Sequence, residues 1–97
     1  MNSQSNGSSK TTTDHHVIRR WVEERGGKPA AVSATRTEED PGILRIDFGE
    51  PEEDLEQIEW AEFFEKFEQS NLAFLYQDKT SDGSTSRFFK FVDKASA

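Results

Sequence analysis

The stretch WAEFFEKFEQSNLAFLYQDKTSDGSTSRFFKFV, residues 60–92, decides the fold. It carries seven of the chain's eight phenylalanines: Phe63, Phe64, Phe67, Phe74, Phe88, Phe89 and Phe91. At 100° per residue, Trp60, Phe63, Phe64 and Phe67 fall within an arc of about 100°, the width of a helix stripe that faces a core. Glu62 and Lys66 form an i,i+4 pair on the opposite side, in the favourable order. The spacing predicts a helix ending near Ser70-Asn71. LAFLYQ (72–77) and TSRFFKFV (85–92) then flank Asp82-Gly83, a short-range hairpin signal. A two-residue turn there sets Phe74 opposite Phe91, Tyr76 opposite Phe89 and Asp78 opposite Arg87, all on one face. Aromatic and opposite-charge pairs of this kind each contribute ~0.2–1 kcal/mol and hold the register.

Working outward, the first half repeats the pattern more loosely. Asp14 is a suitable N-cap for a helix running to about Arg25, with Val17, Ile18, Trp21 and Val22 at helical spacing and Gly26-Gly27 as its stop. Ala30, Val32 and Ala34 then alternate with smaller or polar neighbours. Pro41-Gly42 marks a turn, and Leu44, Ile46 and Phe48 alternate with Arg45 and Asp47. The apolar sets align if Ala34 faces Leu44, Val32 faces Ile46 and Ala30 faces Phe48. Gly49–Glu59 reads as an acidic connection anchored only by Leu55 and Ile58. Residues 1–13 hold no periodic apolar residue and read as a disordered leader. The expectation is one α+β domain over residues 14–94, in the order αββαββ, with a four-stranded antiparallel sheet and two helices.

Composition narrows the function classes. The chain has no cysteine, so disulfides and thiolate metal sites are excluded. No apolar h-region follows Met1 and no run approaches the ~20 residues of a membrane span, so neither secretion nor a membrane is expected and the cytoplasm is the simplest compartment. The net charge is −7. Glu50, Glu52, Glu53, Asp54, Glu56, Glu59, Glu62, Glu65 and Glu68 share their segment with one base, Lys66. Such a field is a solvated face or a contact for a basic partner, and it opposes phosphate binding. Nucleic acid is not an expected partner unless Arg19, Arg20, Arg25 and Lys28 make one basic face.

The chemical constellations resolve into structural ones. Asp78, Thr80, Asp82, Gly83 and Ser86 match positions one, three, five, six and nine of a calcium loop, but position twelve is Phe89 where a bidentate glutamate is required. His15 and His16 point about 100° apart on a helix and have no third partner, so no metal is expected. Asp47 is the one carboxylate inside an expected strand and faces solvent. Ser84, Thr85 and Ser86 have no candidate base nearby. No catalytic residue, cofactor or metal site is expected.

What is left is a surface. Alternation places Ala73, Leu75, Gln77, Phe88, Lys90 and Val92 on the sheet face away from the aromatic pairs, with Ala31, Ser33, Arg45 and Asp47 as its polar half. Leu75, Phe88, Lys90 and Val92 form a candidate interface for a protein partner or a weak homodimer, provided no helix crosses over to cover them. The favoured expectation is a non-catalytic protein-binding or regulatory module, monomeric or weakly dimeric. A concave site with convergent carboxylates, or an exposed Trp21 or Trp60 platform, would point instead to a small enzyme or a carbohydrate-metabolism accessory protein.

The strings WVEERGGKPA (21–30), GILRIDF (42–48), WAEFFEKFE (60–68), LAFLYQ (72–77) and TSRF (85–88), taken in order, resemble a group of short bacterial proteins of unknown function. Some members carry the label 1,4-alpha-glucan branching enzyme. That chemistry belongs to a (β/α)₈ barrel of typically ~250 residues with carboxylates at its strand ends. This chain has neither the length nor the βα alternation. The resemblance implies a lineage and a fold, and it carries over no functional residue.

Overall fold

The computed structural model describes residues 9–49 and 54–96. Its helices begin and end where local chemistry dictates. Asp14 caps α1 (His15–Glu24), its carboxylate accepting from the His16 and Val17 amides at 2.9 and 3.4 Å. At the other end Gly26 takes φ +72°, the Gly27 amide reaches back to the Val22 carbonyl and the Gly26 amide to that of Glu23. That is the Schellman closure, in which a left-handed residue satisfies the helix's last carbonyls. Gly27 is needed for a separate reason. A Cβ there would stand 2.8 Å from the Phe48 ring and 2.9 Å from Ile46. Asn71, at φ 56°, closes α2 (Trp60–Gln69) in the same left-handed manner.

The strands form two three-stranded antiparallel sheets, so the fold is α+β but the expected single four-stranded sheet does not form. In one sheet β2 (Lys28–Val32) lies between β3 (Leu44–Asp47) and β4 (Leu55–Gln57). In the other β5 (Leu72–Gln77) lies between β1 (Ser9–Thr12) and β6 (Phe89–Asp93). Each hairpin is completed by a short polar strand that takes its free edge, leaving β2 and β5 no edge with which to meet. The expected leader is corrected accordingly: residues 9–12 pair with β5, Thr12 opposite Phe74 and Ser9 opposite Gln77, and Lys10 reaches Asp78 at 2.7 Å. Residues 1–8 of that leader lie outside the described residues. The connection expected over Gly49–Glu59 likewise contains a strand, with Leu55 opposite Val32.

The first hairpin is also shifted by three residues from its expected register. Ala31, not Ala34, is opposite Leu44, and Pro29 is opposite Ile46. The cause is Thr35. Its hydroxyl bonds to the Val32 carbonyl at 2.7 Å and accepts from the Ile43 amide at 2.9 Å, folding Ser33–Thr35 into a 3₁₀ turn that ends the strand early. Gly42, at φ +105°, lies against Thr35 where any Cβ would collide with its hydroxyl. The turn chemistry therefore overrides the alternation of small residues, which carries little burial energy.

In the second hairpin Phe74 pairs with Phe91 and Tyr76 with Phe89, in the expected register, but by a different route. Thr80 pairs with Ser84 around a three-residue loop with Gly83 at φ +87°, and Lys79 bridges Thr85. The Ser86 amide then bonds to the Asp78 carbonyl and the Gln77 amide to that of Phe88. The longer loop shifts the pairing by one residue, and a bulge at Ser86-Arg87 shifts it back. The expected Asp78–Arg87 pair is not made. Asp78 turns to Lys10 and Arg25, and Arg87 lies over the Phe48 ring at 5.4 Å.

Both helices pack on the face of the β5–β6 sheet that carries Phe74, Tyr76, Phe89 and Phe91. Trp21 of α1 meets Phe74, Tyr76 and Phe89, while Phe63 and Phe67 of α2 meet Phe91. Phe63, Phe67 and Phe74 have no solvent exposure; Phe64 is only half-buried. The side of the α2 stripe facing the sheet thus carries the stability. Phe63→Ala should lower it by ~3–5 kcal/mol, the usual cost of truncating a buried phenylalanine, and Phe64→Ala by less than half as much. Urea midpoints for the two variants give the comparison; equal losses would contradict this assignment of the core.

Candidate functional site

The face of the β5–β6 sheet opposite the helices presents Ala73, Leu75 and Gln77 from β5 beside Phe88, Lys90 and Val92. Lys90 stands opposite Leu75 and Val92 opposite Ala73. The structure therefore brings all four residues of the expected interface onto one surface. Ala73 is buried, Leu75 and Val92 are half-buried, and Lys90 is exposed. Phe88 remains 48% exposed; among the described residues the other exposed large apolar side chain is Ile43, at 50%. The polar half expected from the first hairpin does not adjoin this surface, because that hairpin belongs to the other sheet.

Phe88 is held at its backbone and free at its ring. The Ser86 hydroxyl accepts from the Phe88 amide at 3.0 Å and donates to the Gln77 side-chain oxygen at 2.7 Å. Behind this bulge sits Arg25, whose side chain is 6% exposed. Its guanidinium lies 4.3 Å over the Trp21 ring and donates to three carbonyls: Ser86, Trp21 at 3.0 Å and Asp78 at 2.9 Å. Burial draws its pKa below the ordinary arginine value, against the pull of Asp78 and Glu24. A planar fork of five donors suits three differently placed acceptors, and an ammonium does not. Residue order alone hides this role: an arginine before Gly-Gly reads as a solvent-exposed helix end.

The other candidates are committed elsewhere. His15 stacks on Phe64 with ring centroids 4.1 Å apart and meets Glu68 at 2.6 Å, tying the start of α1 to the end of α2; His16 is exposed. In the calcium-like loop, Asp78 holds Lys10, Asp82 accepts from Thr80 and the Ser84 amide, and Ser86 is buried against Gln77. Asp47 accepts the Gly49 amide at 2.7 Å. Among the described residues no group of three His, Cys, Asp or Glu side chains could hold a metal ion. Trp21 is buried, its indole N–H donating to the Gln77 carbonyl at 3.1 Å. Trp60 is half-buried beside a cleft of about 260 Å³ that also holds Glu23, Lys28 and Glu59. Phe64 stacks on its ring and the Arg19 guanidinium lies 5.9 Å over it. Arg19 is bonded to Glu23 and Arg25 is buried, so no contiguous basic face forms from the set Arg19, Arg20, Arg25 and Lys28. No described helix is long and apolar enough to cross a membrane. Comparison with family models, with curated proteins and with solved structures gives no match.

Two predictions follow from these contacts. Arg25→Lys should lower stability by about 2–3 kcal/mol, because the retained charge leaves at least one buried carbonyl unsatisfied. Amide exchange should then speed up at Asp78–Phe88 while the α2 amides stay protected; uniform loosening would mean Arg25 does not act on the hairpin. The second concerns acid. Hydrogen bonds from Lys66 to Asp40, from His15 to Glu68 and from Thr80 to Asp82 hold these three carboxyls below their ordinary values of 3.8, 4.5 and 3.8. A depressed folded pKa contributes stability that is present above the unfolded value and lost as pH falls through the folded one. Stability should therefore decline as pH falls below about 4.5, and Asp82→Asn should flatten that decline; a variant with the wild-type acid slope would refute it.

Proposed function

We propose that this chain is a non-catalytic protein-binding module that engages its partner through the outer face of the β5–β6 sheet, with Phe88 as the anchor and Leu75, Lys90 and Val92 around it. The supporting observation is the exposure of Phe88 on a backbone that two side-chain hydrogen bonds already hold in place. Aromatic anchors dominate interface energetics, and an anchor whose backbone is fixed beforehand loses little entropy on docking.

Phe88→Ser separates binding from folding. It should cost under ~1 kcal/mol of stability, as changes at exposed sites usually do. It should also abolish capture of those proteins that the wild type and Ile43→Ser both retain from the native extract. Sedimentation of the same three proteins tests self-association, the other contact this face could make. A Phe88→Ser variant that captures the same proteins and sediments as the wild type does would overturn the proposal.

A further inference from the structure

Resting on that reading, the charge and edge geometry of the surface point to the chemistry of its occupant: we infer that it takes an extended polypeptide segment carrying an acidic residue between two apolar ones, added as a strand along β6.

The edge comes first. The Gln77 amide bonds to the Phe88 carbonyl and the Lys94 amide to that of Asn71. These bonds set the phase of the ladder. Phe88, Lys90 and Val92 turn their backbone groups toward β5, while Phe89, Phe91 and Asp93 turn theirs away. Among the described residues no strand pairs with that outer edge of β6. Three residues thus offer N–H and C=O groups in strand geometry to an added chain, the arrangement used in β-augmentation.

The side chains set the occupant's pattern. An added strand places every second residue on the outer face, beside Phe88, Lys90 and Val92 in turn. Apolar residues suit the two ends and a carboxylate suits the centre. Lys90 is available for it. Lys10, Arg19, Arg25, Arg36 and Lys66 each have a carboxylate within 4.0 Å, whereas Lys90 has none among the described residues. The face as a whole, with Ser9 and Thr11 contributed by β1, contains no carboxylate although the chain carries −7. The acids of α2 lie on the other side of the sheet, with the helix that bears them.

A second copy fits less well. Pairing two β6 strands about a two-fold axis at Phe91 sets Lys90 diagonal to Lys90 of the other chain. An exposed lysine in the middle of an edge strand is a common device against such pairing. A segment with a glutamate at that point meets attraction instead.

The test uses two soluble seven-residue peptides, threonine throughout except for valines at the second and sixth positions and either glutamate or lysine at the fourth. Titrated into the full chain and followed by amide NMR, the glutamate peptide should perturb Phe89, Phe91 and Asp93 and bind about tenfold more tightly than the lysine peptide, the ratio expected when a cross-strand attraction replaces a repulsion. Lys90→Glu should reverse the preference. Equal binding of both peptides at β6 would overturn the acidic preference and leave the docking surface standing. Perturbation centred on α2, or none with either peptide while Phe88→Ser still loses its partner, would overturn the strand-addition model alone. Silence from both peptides together with an unaffected Phe88→Ser variant would remove the surface itself.

Discussion

The fold depends on the indole of Trp21. From the middle of α1 it meets Phe74 and Tyr76 on β5, Phe89 on β6 and Phe48 just beyond β3, with centroids 5.4–6.5 Å away. It is therefore a group through which one helix and parts of both sheets share a core, the same cluster that holds Phe63 and Phe67 of α2. Its N–H is satisfied by the Gln77 carbonyl, so burial leaves no polar group unpaired, and the ring supports the Arg25 guanidinium. Two three-stranded sheets with no strand pairing between them need such a joint. A hairpin with one extra strand is marginal alone, and apolar packing against helices supplies what backbone pairing cannot.

Arg25 extends this joint to the surface. The chain crosses from β5 to β6 through a loop and a bulge whose carbonyls at Asp78 and Ser86 point inward, and the guanidinium satisfies both. The bulge fixes where Phe88 emerges. Core and surface are thus linked through a short path: Trp21 supports Arg25, Arg25 holds Ser86, and Ser86 holds the Phe88 amide. The other exposed large apolar side chain among the described residues, Ile43, likewise sits on a held backbone, its amide bonded to the Thr35 hydroxyl, but it lies at the turn before β3 and not on the face of the β5–β6 sheet.

Charge is distributed in keeping with this division. The acids are partly answered within the fold: Arg36 lies near Glu56 of β4 and Glu62 of α2, His15 bonds to Glu68 of α2, and the Lys66 of that helix is taken by Asp40 from the loop before β3. Except for the part-buried Lys66–Asp40 bond, these are exposed pairs that add little to stability individually. Their effect is on where field remains. The helical side of the molecule keeps an excess of negative charge, and the outer face of the β5–β6 sheet keeps a single lysine.

The sequence by itself determined what side-chain periodicity can encode. The α2 stripe, the Asp14 cap, the Gly26-Gly27 stop and the facing of Phe74 with Phe91 all follow from which residues must share a face, and so does the grouping of Leu75, Phe88, Lys90 and Val92. Periodicity says nothing about which backbone edge meets which. SKTT at β1 and LEQ at β4 bury almost no apolar surface, so their pairing leaves no side-chain trace. The same silence covers the division into two sheets. Ala30–Ala34 could not report its own register, because alanines gain too little on burial to outweigh the Thr35 hydroxyl and the tight approach at Gly42. The roles of Arg25 and His15 required tertiary structure as well, since their partners lie more than fifty residues away and meet them only after Trp21 and Phe67 have brought the helices onto the sheet.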